Sequence, residues 1–404
     1  MNSLTSVFAW IDHSEAERRR MLEAIEMFRD RGTRDELGLS TVRDGFADLM
    51  FPGTGSLQTR ARYFMFVPWM YRLLEEQRVS SAEVSRKARQ FEVKLINALA
   101  ESEDRSGIIG ILKRAALQRL PSSIYWSGSR RLGIRQFSGA QDEYHKSLDG
   151  WHKANRRAVR NDDGQVESRH GPNWHDVPPM PPGFPERAEL RLSEAEADYL
   201  RRRILTEAPR SLFAFIVDHV NSETDYRFAW DHHLCNLLPA DLASQLLHAR
   251  NFAEAMHGAP ILYNLMLANM EPRRVNLLPG LEREFEQWRA DVLARSADLQ
   301  QWNRGELWEL LRIAGARVTP FTREFVEAWV DLLLDAPDPR SLLQSQPAQD
   351  LILKRERRLK GNLARLHNHA ARERWNGNSG LGRLEYRWAN AQAISNDMMN
   401  AGRS

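Results

Sequence analysis

Along most of the chain, apolar residues recur three or four positions apart, the spacing that gathers them on one face of an α-helix. Met21, Leu22, Ile25 and Phe28 follow Ser14 and Glu17, and Val84, Ala88, Phe91, Leu95 and Leu99 follow Ser80 and Glu83. Serine three residues ahead of glutamate predicts a capping box, in which each side chain satisfies a backbone N–H left open by the first helical turn. Ser193 with Glu196 predicts a third. The same period runs through 241–256, 281–295, 307–313, 322–334 and 352–366, and the strict alternation of a half-buried strand is nearly absent. The pattern predicts an all-α, multi-helical protein.

Prolines break this pattern. Pro68 falls inside the apolar stretch that starts near Leu57, and its missing N–H predicts a kink or a division there. Between 171 and 185, Pro172, Pro178, Pro179, Pro181, Pro182 and Pro185 exclude regular structure and favour an extended, semi-rigid connector. A weaker junction is expected at 335–349, where Pro337, Pro339 and Pro347 precede a basic helix. At 404 residues and 42% hydrophobic, the chain is long enough for two or three packed units. We expect a basic helical N-terminal domain (1–170), a proline-rich connector (171–186), an acidic helical domain (187–346) and a basic C-terminal helical segment (347–404).

Charge sharpens that division. The formal net charge of +3 hides 12 Lys and Arg against 3 Asp and Glu over 105–160, and 11 against 4 over 351–404. The stretch 161–350 reverses the balance, 19 against 30. Two basic blocks around an acidic middle either pack against that middle or face an external polyanion. No apolar run approaches the roughly 18 residues that cross a bilayer, so no membrane partner is expected. Asp12, Glu15 and Glu17 are unlike the start of a secretion signal, and the lone Cys235 permits no internal disulfide, so a cytoplasmic setting is expected.

The most informative block is 51–71, where Gly53-Thr54-Gly55-Ser56 runs into Arg60 and Arg62 among Tyr63, Phe64, Trp69 and Tyr71. A guanidinium so deep in apolar sequence must find a carboxylate, a phosphate or carbonyls. Arg60, Arg62, Tyr63 and Trp69, with Trp126, therefore mark an expected pocket or interface. Glycines ahead of a helix can bind an anion, but no Gly-Lys-Ser/Thr ending follows, which rules out a nucleotide-binding P-loop. The glycines are expected to form a turn, with Arg60 and Arg62 clamping Asp44, Asp48 or neighbouring helix ends.

The segment 108–133 reads as two helices joined at Leu120-Pro121, with Ser122 or Ser123 as cap and Gly133 as stop, a helix-turn-helix-like arrangement. Its second helix would present Ser123, Trp126, Ser127, Arg130 and Arg131 to a groove or a phosphate backbone. Helical hairpins also occur purely as packing units. His232, His233 and Cys235 suggest a metal or thiol site but lack a zinc-site spacing, so a buried cysteine is the expectation and no metal or cofactor is predicted. Most of the 12 tryptophans are expected in the core.

Several segments resemble an uncharacterised bacterial family defined by a domain of unknown function. They are Phe8-Ala9-Trp10-Ile11-Asp12, Arg34-Asp35-Glu36-Leu37-Gly38, Phe51-Pro52-Gly53 with Gln58-Thr59-Arg60-Ala61-Arg62-Tyr63, and Pro68-Trp69. The likeness continues at Pro121-Ser122-Ser123-Ile124-Tyr125-Trp126 with Gly133-Ile134-Arg135, at His248-Ala249, Gly258-Ala259 and Leu262-Tyr263-Asn264, and at Tyr386-Arg387-Trp388. Ser129 departs from it, standing where an apolar residue is expected. The resemblance carries no catalytic residue set. It implies a setting beside helicases and phospholipase-D-like nucleases in anti-phage gene clusters, which favours a subunit over a free enzyme.

The leading expectation is a nucleic-acid-associated accessory or adaptor subunit of a bacterial defence complex. Lys113, Arg114, Arg130, Arg131, Arg156 and Arg157 would contact DNA or RNA phosphates, and the central domain would dock on a partner such as a helicase or nuclease. The alternatives are a Mg²⁺-dependent nuclease or other hydrolase using Asp44 with Asp48 or Asp35 with Glu36, and a purely structural protein–protein interaction subunit.

Overall fold

The predicted helical periods become fifteen α-helices among the residues described by the computed structural model, 36–156, 159–160, 166–167 and 171–402. The first seven are α1 (Ser40–Met50), α2 (Tyr63–Glu76), α3 (Val84–Glu101), α4 (Pro121–Arg131), α5 (Gln141–Arg156), α6 (Glu194–Glu207) and α7 (Leu212–His219). Then come α8 (Ala240–Met270), α9 (Leu278–Ala294), α10 (Ser296–Gln300) and α11 (Arg304–Ile313). The last are α12 (Pro320–Asp335), α13 (Gln346–Lys360), α14 (His369–Glu373) and α15 (Trp388–Met399). Strand structure among the described residues is confined to a hairpin of two-residue strands, Val159–Arg160 against Val166–Glu167, and one isolated bridge between Arg135 and Trp174. The all-α class holds.

The chain forms two compact units, each assembled from separated stretches. The larger takes Ser40–Ala255, Arg295–Arg323 and Leu384–Ser404, and the smaller takes Met256–Ala294, Glu324–Arg383 and the chain up to Leu39. The expected boundary at the proline-rich connector is not where the chain divides, because 171–186 lies inside the larger unit. It carries no helix, and it turns at 182–186.

In the larger unit, α2 is the central element, with every residue from Tyr63 to Tyr71 buried. It packs against α3 and α4, while α6 packs against α7 and α15. Pro68 neither ends nor divides α2: the helix begins at Tyr63 rather than Leu57, and burial on all sides outweighs the roughly 3 kcal/mol that an interior proline costs. Beside it, Tyr71 stacks on Trp174 at 5.4 Å, and Trp126 meets Trp174 edge-on at 5.7 Å. Such offset and edge-to-face contacts add to the area these rings bury.

Of the predicted capping boxes, Ser193 with Glu196 forms at α6 with both reciprocal bonds in place. Ser80 instead works through its carbonyl, which accepts from the N–H groups of Glu83 and Val84 at 3.0 Å, and α3 starts without a side-chain cap. The Ser14–Glu17 pair lies outside the described residues.

The smaller unit is built around α9, α13 and residues 256–270 of α8. Gly258 lets Trp288 lie on the helix, since an added Cβ would stand 2.2 Å from the indole. The wholly buried Glu356 accepts from the Tyr263 hydroxyl, from Lys360 Nζ at 3.1 Å and from the backbone of Arg365 at 2.8 Å and Leu366 at 3.0 Å. Glu36 binds Lys360 and, at 2.9 Å, Arg365. Burial raises the Glu36 carboxyl, but those two cations overcome it and hold it below its ordinary value. Lys360 and Arg365, two cations of the C-terminal basic block, are thus spent on internal carboxylates.

Candidate nucleic-acid interface

Helix α4 is delimited as its sequence suggests. Pro121 occupies the first turn, where a missing N–H costs nothing. Gly133, at φ +62°, closes the other end: its N–H reaches the Arg130 carbonyl and the Ile134 N–H reaches that of Ser129, the paired bonds of a Schellman stop. The cap is not the expected Ser122 or Ser123 side chain. A carboxylate from α3 does that work, Glu92 accepting from the Ser122 N–H at 2.6 Å and its hydroxyl at 3.0 Å. Burial pushes the Glu92 carboxyl up to about 7, opposed by the two Ser122 bonds and the charge of Arg89. At the far end Arg203 Nε donates to the Leu132 carbonyl at 3.0 Å, a cation where the helix dipole favours one.

The expected first helix of a helix-turn-helix pair is absent. Residues 108–120 form turns and one 3₁₀ turn, Arg114–Ala116, admitted by Gly107 at φ +76° and Gly110 at φ +78°. Arginines hold this segment in place: Arg89 donates to the carbonyls of Ala115 (2.7 Å) and Leu117 (3.0 Å), and Arg114 to Asn97 Oδ1 (2.7 Å) and the Ile111 carbonyl (2.9 Å). Arg114 is therefore engaged internally, whereas Lys113 and Arg119 are exposed.

The two faces of α4 differ sharply. Ser122, Tyr125, Trp126, Gly128 and Ser129 are buried. Gly128 lies so close to the 51–58 turn that an added Cβ would stand 2.3 Å from the Gly53 carbonyl oxygen. The outer face exposes Ser123, Ser127, Arg130 and Arg131, one stripe at helical spacing. Trp126, expected on that face, points inward and donates to the Gly139 carbonyl at 3.2 Å.

Beside the stripe lies Arg135, buried, its guanidinium 4.3 Å from the Trp126 ring centroid. Its acceptors are carbonyls, those of Trp126 (3.2 Å), Gly139 (2.9 Å) and Phe137, and no described carboxylate neutralises it. Burial and the neighbouring charge of Arg130 lower it to about 10, so it stays protonated at neutral pH. Three positive charges without a described carboxylate partner, Arg130, Arg131 and Arg135, therefore gather at the C-terminal end of α4, beside the Arg203–Glu207 pair (2.5 Å). Arg156 ends α5, but its side chain and Arg157 lie outside the described residues.

The arginine–aromatic block turns inward instead. Arg60 bridges Asp397 (2.9 Å) and Asp104 (2.6 Å) and donates to the Ser106 carbonyl (2.9 Å). Burial pushes the Asp397 carboxyl up to about 6 against the pull of Arg60. Arg62 pairs with Glu196 at 2.9 Å, bonds the Glu189 carbonyl at 3.0 Å and lies over the rings of Phe66 and Trp69. Tyr63 is buried and accepts from the Ile109 N–H at 3.0 Å; Trp69 donates to the Pro178 carbonyl at 2.7 Å. Trp69, Arg72, Tyr199 and Arg202 help to line an open cleft of about 720 Å³ along α2, α6 and 176–180.

One pairing expected for the block is corrected. Arg60 and Arg62 take the helix-end alternative, clamping Asp397 in the last turn of α15 and Glu196 in the first turn of α6, while Asp44 and Asp48 are held by Arg387, at 3.5 and 2.6 Å, and Asp44 also by Arg43 at 3.1 Å. Tyr386 and Arg387 both adopt positive φ, at 57° and 66°, a strained pair fixed by the Tyr386 bond to the Ala249 carbonyl (2.6 Å) and the Arg387 bonds to Asp48 and the Thr54 carbonyl (3.0 Å). The glycines form the expected turn, which Gln58 closes on itself, accepting from the Gly55 N–H and donating to the Gly53 carbonyl, each at 3.1 Å, and α2 begins five residues later. Sequence reasoning missed Glu92, Arg135 and Arg387. For Arg135 the signal was its place two residues past the Gly133 stop and nine past Trp126.

At the His232–Cys235 segment, partial burial pushes the thiol up to about 11, and its Sγ–H reaches the Ala229 carbonyl at 3.2 Å, which describes an inert cysteine that is half-buried and not fully buried as expected. Among the described residues no group of three or more His, Cys, Asp or Glu side chains could hold a metal ion, and no helix is long and apolar enough to cross a membrane.

A family model, that of a family of unknown function, DUF6361, matches residues 5–402, and the chain belongs to that family. No curated protein and no solved structure matches it.

Proposed function

We propose that this DUF6361 member is a nucleic-acid-associated accessory subunit that grips a phosphate backbone through the outer face of α4. The observation behind this reading is the exposed stripe Ser123, Ser127, Arg130 and Arg131 beside Arg135, whose charge no described carboxylate cancels. Hydroxyls and guanidinium groups at helical spacing are the donors that position a protein on phosphates. Of the acids considered for Mg²⁺, Asp44 and Asp48 are engaged with Arg387 and Glu36 with Lys360 and Arg365, which suits an accessory role, and Asp35 lies outside the described residues. Docking on a helicase or nuclease of an anti-phage complex belongs to the same proposal, and co-purification with such an enzyme after nuclease treatment tests it.

Salt titration of oligonucleotide binding tests the nucleic-acid contact. Log K should fall linearly with log salt, by about one unit per phosphate engaged. Affinity that ignores ionic strength, or no binding at low salt, would remove the reading.

A further inference from the structure

The outer face of α4 also points to the class of nucleic acid it takes. Resting on the reading above, we propose that its ligand is a duplex held by its backbone, and not a single strand held by its bases.

Binding a single strand without sequence preference needs rings on which bases stack. Here the rings around α4 are turned inward and occupied. Tyr125 is wholly buried, and its hydroxyl accepts from the Thr59 N–H at 2.9 Å while donating to the Arg60 carbonyl at 2.7 Å. Trp126 has Arg135 over its face and Tyr71 and Trp174 at its edges. Phe137 is half-buried, edge-on to Tyr144 at 5.5 Å. Among the described aromatic residues of the larger unit, the exposed one is Phe321, in the first turn of α12 and so on another element.

What α4 does present is a row of donors. From Ser123 to Arg131 the stripe runs about 12 Å at 1.5 Å per residue, a length that covers roughly three to four 3.4 Å steps of one strand along a duplex axis. A duplex keeps its phosphates in such a fixed row with the bases stacked away, so a rigid helix bearing hydroxyls at one end and guanidinium groups at the other meets it without reorganising either partner. A flexible strand would have to be ordered on this face with no stacking to offset the entropy. Contacts restricted to phosphate and sugar carry no base information, so the binding should be indifferent to sequence.

Fluorescence anisotropy with labelled duplex DNA, duplex RNA and each component single strand, on the full chain at low and physiological salt, tests this. The duplexes should bind more tightly than the strands, and two unrelated sequences should bind alike. Arg130→Ala with Arg131→Ala should weaken duplex binding at least about tenfold, as expected for losing two charge-assisted hydrogen bonds, with an unchanged melting temperature. The DNA and RNA arms distinguish which duplex is preferred. Tighter binding of single strands would overturn the inference while leaving the nucleic-acid reading intact, and no binding of any probe would remove both. Duplex affinity unaltered by the double variant would overturn the assignment to this face.

Discussion

The 51–71 block and α4 have similar ingredients, arginines among aromatics beside a glycine, and meet opposite fates. Arg60 and Arg62 find Asp397, Asp104 and Glu196, carboxylates brought in from as far as 337 residues along the chain, and become internal ties. Arg130 and Arg131 meet no described carboxylate and stay at the surface. Arg135 lies between these cases, buried like Arg62 yet satisfied only by carbonyls. The difference teaches that an arginine's role depends less on its neighbours in sequence than on which distant acids the fold delivers to it.

Breaking the Arg62–Glu196 pair should show the largest effect. Glu196→Ala leaves the buried Arg62 guanidinium with only the exposed Glu189 carboxylate, 3.8 Å away, and removes the Glu196 half of the α6 capping box, and should cost about 3–5 kcal/mol, read as a lower denaturation midpoint in urea. A loss under about 1 kcal/mol, typical of a surface pair, would erase the contrast with α4.

The pH dependence comes next. Glu92 titrates near 7 in the folded protein against about 4.5 when unfolded, so folding takes up a proton between those values. Its contribution is complete below about 4.5 and is lost as pH rises through 7, a change on the order of 3 kcal/mol. Asp397, raised to about 6, acts in the same direction. Melting curves of Glu92→Gln should be flatter across that window than those of the parent. Equal slopes would place the titration elsewhere.

Gly128→Ala should follow, at about 1–3 kcal/mol, because the new methyl meets a backbone carbonyl that cannot swing away. Arg130→Ala with Arg131→Ala should change stability by no more than about 0.5 kcal/mol, as solvent-facing substitutions do. Destabilisation as large as that of Glu196→Ala would mean that both regions serve the core alike.

How much of this was legible in the sequence depended on the range of the interaction. The Ser193–Glu196 box and the Gly133 stop are local, decided by dihedrals and donors within one turn, and both form as read. Ser80 looked identical in sequence yet caps through its carbonyl, and the stretch before Pro121 had a helical pattern but folds as turns held by Arg89 and Arg114. Pro68 argued for a break that burial of α2 overrides. Within the interface, spacing alone placed Ser123, Ser127, Arg130 and Arg131 on one face but not Trp126 inside it.

Helical class, charge distribution and the ends of several helices follow from the chain alone, because periodicity and capping act over a few residues. The pairing of Arg60, Arg62 and Arg387, the capping of α4 by Glu92 and the exposure of Arg130 and Arg131 were decided only by tertiary structure. Each depends on which carboxylate, up to hundreds of residues away, comes within about 3 Å of a charge, and no local pattern encodes that distance.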